Sequence, residues 1–178
     1  LIGSAISRVY WELDHLRSWQ EQPRFYIDQT IGVVFDLLLA PEVTDKRICE
    51  VAFVLANSPQ ILQDGITNLS TNAIREYAIV AIELLGNIDA EVNKMVEELA
   101  PFAEPSTVKS LKIAGDTAIA AFVNFREWLK TNQKEMKQIE AVGKEKYQWF
   151  FDHVALVPYS PEELIAIGNL EWERAVTL

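Results

Sequence analysis

Apolar residues recur at every third or fourth position along most of the chain, which is the spacing that places side chains on one face of an α-helix. The pattern is longest between Ser70 and Leu99. No segment alternates apolar and polar residues with the period of two that is typical of a β-strand. The chain has only seven glycines and seven prolines, and most of the prolines lie between the periodic segments. The pattern therefore predicts an all-α protein.

Proline, glycine and capping residues divide this pattern into about eight predicted helices. The helices begin near residues 1, 23, 45, 58, 70, 106, 143 and 160. We expect Ser58 and Pro59 to start a short fourth helix, and Gly86 and Asn87 to bend or split the fifth. Because the connections are short, we also expect mostly antiparallel neighbours in a single helical domain that spans residues 1–178.

The last predicted helix begins with a strong signal. Ser160 can cap it, Pro161 suits its first position, and Glu163 can accept a hydrogen bond from the capping residue. The sequence then reaches Leu178 without the glycine, asparagine or proline that usually follows a last turn. The chain also begins without a methionine. We therefore expect it to be the amino-terminal part of a longer helical parent protein, truncated at both ends.

The sequence is strongly acidic, with a formal net charge of −10 over 178 residues. An acidic surface repels phosphate groups, so we expect no nucleic-acid partner and no attraction to anionic membrane surfaces. The apolar run "IGVVFDLLLA" is interrupted by Asp36 and is too short to cross a bilayer. We therefore expect no transmembrane segment.

The single cysteine, Cys49, cannot form a disulfide within the chain. It lies in the apolar stretch "ICEVAFVLA", where we expect a buried and unreactive thiol. One cysteine also excludes the zinc sites that are built on cysteine pairs.

The two histidines, His15 and His153, offer little recognisable chemistry. Glu12 and His15 have the Glu-x-x-His spacing of four-helix di-metal proteins, but that architecture needs a second such pair. Phe150 occupies the corresponding position before His153. A di-metal role for Glu12 and His15 is therefore a minor hypothesis, and an exposed or capping histidine is favoured.

Other candidate groups are better explained by structure than by catalysis. No glycine-rich phosphate loop is present, and neither histidine stands in a motif that would activate a serine or cysteine nucleophile. Five aromatic residues could line a ligand cleft, although their helical spacing favours the core: Trp128, Trp149, Phe150, Phe151 and Trp172. The sequence assigns no catalytic, cofactor-binding or metal-binding residue.

Several segments from about Trp19 onward follow one another in a specific order. They include an arginine-bearing helix followed by a proline turn and Asn-Leu, an alanine-rich helix, and a Ser-Pro-Glu-Glu-Leu start followed by Glu-x-x-Arg. The segments are "QPRFYIDQTIGVVFDLLL", "DKRICEVAFVLANSPQILQDGITNL", "AIREYAIVAIELL", "AGDTAIAAFVNFREWLK", "AVGKEKYQWFFDHVAL" and "YSPEELIAIGNLEWERA". In this order they resemble the bacterial family catalogued as domain of unknown function 885.

The resemblance implies the amino-terminal part of a larger, mostly helical protein that is similar to zinc metallopeptidases. The family's His-Glu and Pro-Gly-His motif lies downstream of the matched region, so the resemblance places no zinc ligand in this chain. Its implied partners are the remainder of the parent chain and a peptide substrate. The alternative is a self-contained helical module that binds a partner or an apolar ligand.

Overall fold

The computed structural model describes residues 2–177. In this range the chain forms eight α-helices of six residues or more and no β-strand, which confirms the predicted all-α class. The α-helices, including two of four residues, are α1 (Ile2–Tyr10), α2 (Ser18–Glu21), α3 (Arg24–Ile27), α4 (Val33–Leu38), α5 (Asp45–Leu69), α6 (Arg75–Leu84), α7 (Ile88–Leu99), α8 (Pro105–Asn132), α9 (Lys144–Phe150) and α10 (Pro161–Thr177). Within residues 2–177, every helix is too short or too polar to cross a lipid bilayer.

Three short π-helical segments and one 3₁₀ turn extend these helices. The π-helical segments are Trp11–Leu16, Asp28–Gly32 and Phe151–Ala155, and the 3₁₀ turn is Ala100–Phe102. Such π-helical turns are rare and often occur at functional sites.

The described residues group into two compact units. The central unit comprises Ser18–Ile139, and the terminal unit comprises the described residues up to Arg17 together with those from Glu140 onward. A continuous hydrophobic cluster fills the central unit. In the described part of the terminal unit, the buried hydrophobic residues are Trp11 and Val154. The central unit therefore has a substantial core of its own, whereas the terminal unit exposes most of its apolar side chains.

The two longest helices of the central unit, α5 and α8, run in the same direction. Near their amino-terminal ends, the backbone N–H of Glu104 donates to Asp45 Oδ1 at 2.8 Å. Near their carboxy-terminal ends, Leu69 and Trp128 line one pocket. The sequence analysis predicted mostly antiparallel neighbours, and this pair of helices is parallel instead. The chain must return between two parallel helices, and α6 and α7 supply this return.

The inward faces of α5 and α8 are those that the sequence pattern predicts. The predicted inward residues of α5 are all buried: Ile48, Val51, Ala52 and Leu55. On α8, small residues are followed by large ones along the buried side: Ala114, Gly115, Ala118, Phe122, Phe125 and Leu129. Small side chains let the neighbouring helices approach closely, and the phenylalanines then fill the wider space between them.

Helix α5 does not end where the sequence predicts. It continues from Asp45 to Leu69 with Pro59 inside it, so the prediction of a separate fourth helix was wrong. Ser58 does not cap a new helix, because its Oγ donates backwards to the Val54 carbonyl at 3.2 Å. Proline inside a helix costs about 3 kcal/mol. The burial of Leu55 and Leu62 on either side of Pro59 offsets this cost.

The predicted interruption at Gly86 and Asn87 is confirmed as a split between α6 and α7. The side chain of Arg126 on α8 stabilises the split. Its Nη1 donates to the carbonyl oxygens of Leu85 at 2.7 Å and Gly86 at 2.9 Å. These carbonyls follow the last turn of α6, where helix carbonyls lack partners within the helix. Arg126 therefore acts as a side-chain cap supplied by a neighbouring helix.

Gly65 allows the segment before α5 to pack tightly against it. A Cβ atom at this position would lie 2.8 Å from Cγ of Tyr26. The Tyr26 hydroxyl donates to the Trp19 carbonyl at 2.6 Å and accepts a hydrogen bond from Asn68 at 2.8 Å. Burial raises the pKa of the Tyr26 hydroxyl above its usual range, although the Asn68 hydrogen bond acts in the opposite direction. The absence of a side chain at Gly65 therefore leaves room for the Tyr26 ring between α2 and α5.

Replacing Gly65 with alanine should lower the free energy of unfolding by about 1–2 kcal/mol, because overpacking outweighs alanine's better helix propensity. Urea denaturation followed by circular dichroism measures this change. Gly32→Ala is the control in the same unit, since its Cβ would meet the nearest neighbour at an ordinary 3.4 Å. It should be neutral, or stabilising by up to about 1 kcal/mol. Equal losses in both variants would contradict the proposed ring contact.

The first predicted helix, over residues 1–21, is interrupted. Helix α1 passes into the π-helical segment Trp11–Leu16, and Arg17 then adopts a left-handed conformation with φ of 44°. The Arg17 N–H donates to the Glu12 carbonyl at 2.9 Å, which closes the π-helical turn. The chain leaves the terminal unit at this point, and α2 begins in the central unit.

The two predicted helix starts near the carboxy-terminal end are confirmed. Gly143 precedes α9 with φ of 90°, a backbone conformation that favours glycine. At α10, the Ser160 N–H donates to Glu163 Oε2 at 2.7 Å, and the Glu163 N–H donates to Ser160 Oγ at 3.2 Å. This reciprocal pair is a capping box. The hydrogen bond from the Ser160 N–H lowers the pKa of Glu163.

Candidate functional site

Phe53 lies on the outer surface of α5 in the central unit. Its neighbours on the helix, Ala52 and Val51, face the core, whereas the Phe53 ring points outward and is 70% exposed. Two grooves lie on either side of the ring.

The first groove lies between α5 and α8 and has a volume of about 460 Å³. Its lining is mainly apolar and comprises Cys49, Ala52, Phe53, Ala56, Ser110, Ile113, Ala114 and Thr117. The hydroxyls of Ser110 and Thr117 donate to carbonyls of their own helix, at 3.1 and 2.8 Å. The groove therefore offers apolar contact and hydroxyl lone pairs, with no charged side chain in its lining.

The second groove lies between α4 and α5 and has a volume of about 380 Å³. Its apolar lining consists of Val33, Leu37, Cys49, Phe53 and Val54, and its charged lining of Lys46 and Glu50. Lys46 Nζ and Glu50 Oε1 lie 4.0 Å apart and are well exposed. An apolar group can therefore lie beside the Phe53 ring while an adjacent polar group meets this ion pair.

Cys49 lines both grooves, and its side chain is exposed. The prediction of a buried thiol was wrong. Ile48 occupies the core-facing position instead, and Cys49 lies one residue further round the helix, beside Phe53. Its Sγ lies 3.5 Å from Thr107 Oγ1. An apolar stretch does not distinguish a position at the edge of a helix face from one at its centre.

Glu12 and His15 both lie in the π-helical segment Trp11–Leu16 of the terminal unit. The His15 ring packs at 4.9 Å from the Trp11 ring and 5.6 Å from the Trp149 ring, measured between centroids. Within residues 2–177, no group of three or more histidine, cysteine, aspartate or glutamate side chains is placed to hold a metal ion. The structure thus places His15 in an aromatic cluster.

His153 belongs to the same aromatic cluster. Its ring stacks on Trp149 at 4.7 Å and 10°, and Trp149 is also parallel to Trp11 at 6.0 Å and 9°. His153 Nδ1 lies 3.0 Å from the Trp149 carbonyl oxygen. A carbonyl oxygen can only accept, so Nδ1 donates this hydrogen bond.

The positions of His15 and His153 in one aromatic cluster correspond to a sequence repeat that the sequence analysis missed. Trp-x-x-Asp-His occurs at 11–15 and again at 149–153. Both copies fall at π-helical turns, and each turn is followed by a non-glycine residue with positive φ, Arg17 or Leu156. The repeated five-residue pattern was the available signal.

The five aromatic residues that sequence analysis weighed as core or cleft have different surroundings. Trp172 is largely exposed on α10. Trp128 is partly buried and stacks on Phe125 in the central unit, with ring centroids 6.2 Å apart. Trp149, Phe150 and Phe151 are partly buried in the terminal unit. Sequence analysis missed Phe53, which lines both grooves. The available signal was that Phe53 lies beside the inward face of α5 and not within it.

Comparison of the chain with protein-family models, with curated proteins and with solved structures found no match.

Proposed function

We propose that this chain is the non-catalytic helical part of a zinc metallopeptidase-like hydrolase, in which it forms one wall of a substrate cleft. The observation that carries this proposal is the ordered resemblance of its segments, from about Trp19 onward, to the family catalogued as domain of unknown function 885. The zinc-binding motif of such a protein would lie outside this chain, and the remainder of the parent chain would be its partner.

The two grooves beside Phe53 are the best candidates for the substrate-facing surface. Both are mainly apolar, and the second has the Lys46–Glu50 ion pair in its lining. A peptide has the matching chemistry, because its apolar side chains can contact the Phe53 ring while its polar backbone meets hydroxyls and charges. We therefore propose that peptides with large apolar side chains bind along this surface.

Alkylation of Cys49 tests the binding of peptides at the grooves. The exposed thiol should react with N-ethylmaleimide in the native chain, and the blocked peptide Ala-Ala-Phe-Ala should slow the reaction by about twofold when half of the sites are occupied. The matched peptide Ala-Ala-Glu-Ala should have no effect, and Phe53→Ala should remove the protection. Equal protection by both peptides, or protection that survives in Phe53→Ala, would contradict binding beside the ring.

The reading frame of the natural gene tests the larger proposal. We expect the coding sequence to continue past Leu178 and to encode a His-Glu motif and a Pro-Gly-His motif. A stop codon directly after Leu178 would remove the metallopeptidase interpretation, and peptide binding at the grooves could still be measured.

A self-contained helical interaction module is the second candidate. The observation that favours it is the apolar fraction of the sequence, 49%, combined with the absence of a recognisable catalytic motif in the sequence. Such a module would need neither zinc nor a catalytic partner chain.

A further inference from the structure

The two longest helices of the central unit end at one pocket. Leu69, the last residue of α5, and Asn132, the last residue of α8, both line it. The pocket has a volume of about 140 Å³ and shares no lining residue with the grooves beside Phe53. A helix carries about half a negative charge at its carboxy-terminal end. Because α5 and α8 are parallel, two such partial charges meet at this pocket and add.

No basic side chain in the lining balances these partial charges. Helix α5 has no basic residue in its last turn. The last turn of α8 contains Lys130, whose Nζ lies 2.8 Å from Glu127 Oε1, and Lys137 Nζ donates to Asn72 Oδ1 at 2.6 Å. Neither lysine lines the pocket. The charged residue of the lining is Glu135, and none of the ion pairs within residues 2–177 includes it. The pocket therefore favours a cation.

Other lining groups supply hydrogen-bond acceptors and apolar surface. Asn132 Nδ2 donates to the Trp128 carbonyl at 2.7 Å, which leaves Oδ1 to accept. Ser70 Oγ donates to the Thr67 carbonyl at 2.8 Å and keeps its lone pairs. An ammonium group has three N–H donors and no acceptor, so it matches these oxygen atoms. Trp128 and Met136 can contact an apolar chain, and an indole ring attracts a cation over its face.

We infer that this pocket binds a primary ammonium group on a short alkyl chain. A cavity of about 150 Å³ can hold benzene, so the pocket has room for a chain of about four carbons. A carboxylate or phosphate group would be repelled by Glu135 and by the two helix ends. The same chemistry is offered by a free small amine and by the lysine side chain of a polypeptide. The inference does not depend on the proposed peptidase function.

Nuclear magnetic resonance titration of the 178-residue chain with n-butylammonium chloride tests this inference. The signal to follow is the indole N–H of Trp128, which is assigned by its loss in Trp128→Phe. The key variant is Glu135→Gln, which removes the charge of the lining. Its control is Glu91→Gln on α7, because both glutamates are exposed and belong to the central unit, and Glu91 lies outside the pocket. Circular dichroism verifies that both variants stay helical.

The Trp128 signal should shift and saturate with a dissociation constant on the order of 1–10 mM, as expected for so small a ligand. Glu135→Gln should raise this constant at least about fivefold, whereas Glu91→Gln should leave it unchanged within about twofold. The uncharged probe n-butanol should bind at least about tenfold more weakly, because it cannot form charge-assisted hydrogen bonds.

The blocked peptide Ala-Lys-Ala distinguishes the two sources of the ammonium group. Tighter binding than that of n-butylammonium would support the site and assign it to a lysine side chain, and weaker binding would support it as a site for a free amine. A Trp128 signal that does not saturate by about 50 mM n-butylammonium would overturn the inference. Equal affinity for n-butanol, or equal losses in Glu135→Gln and Glu91→Gln, would overturn it as well.

Discussion

Replacing Phe122 with alanine should lower the free energy of unfolding by about 3–5 kcal/mol, the usual cost of removing a fully buried aromatic side chain. Phe122 is completely inaccessible to solvent and lies on α8 within the continuous hydrophobic cluster of the central unit. Neighbouring helices cannot collapse into the space left by the ring without losing contacts of their own. Urea denaturation followed by the circular dichroism signal of the helices measures the loss.

Phe53→Ala is the matched control, since it removes the same atoms from a 70% exposed ring on α5. We expect a change of no more than about 0.5 kcal/mol, as for most surface substitutions. Similar losses for Phe122→Ala and Phe53→Ala would mean that α5 and α8 do not pack with these faces. That outcome would contradict both the core and the grooves described here.

Replacing Arg126 with methionine should lower the free energy of unfolding by about 2–3 kcal/mol. The guanidinium donates to the carbonyls of Leu85 and Gly86, and the Arg126 side chain is only 17% exposed. Methionine keeps much of the apolar stem but leaves both carbonyls without this donor. The loss should therefore appear as early unfolding of α6 and α7, which hydrogen exchange of their backbone amides can detect.

Lys130→Met is the control for loss of charge on the same helix. Both Arg126 and Lys130 lie within ion-pair distance of Glu127, with Arg126 Nε at 3.4 Å and Lys130 Nζ at 2.8 Å. Lys130 is more exposed and bonds to no carbonyl at the α6–α7 split, so we expect a change of about 0.5 kcal/mol or less. If Lys130→Met were as costly as Arg126→Met, the ion pair and not the cap would be the source of stability.

The sequence pattern predicted the central unit well because its helices bury one continuous face. The inward residues of α5 and the residues that divide α6 from α7 could be read directly, since burial and backbone breaks act within a few residues. Pro59 was read incorrectly for a physical reason. The free-energy cost of a proline inside a helix arises from its immediate neighbours in the sequence. The packing that offsets this cost comes from tertiary contacts of the residues on either side of Pro59 in α5, which the local sequence does not show.

The candidate sites were harder to predict than the fold. Helical spacing shows that residues share a face, but not whether that face meets the core or the solvent. Ile2, Ile6 and Val9 of α1 have the helical spacing of a buried face and are exposed. Cys49 lies in an apolar stretch and is also exposed. The Trp-x-x-Asp-His repeat was visible in the sequence, but only the structure brings His15 and His153 against the same Trp149 ring.

The most direct test of the proposed function compares the natural protein with the 178-residue chain for bound zinc and for peptide hydrolysis. We expect about one zinc ion and measurable hydrolysis for the natural protein, and neither for the chain alone, because the proposed zinc motif lies outside it. Peptides with large apolar side chains should be the preferred substrates. A natural protein without zinc, or a 178-residue chain that binds zinc and hydrolyses peptides by itself, would contradict the proposal.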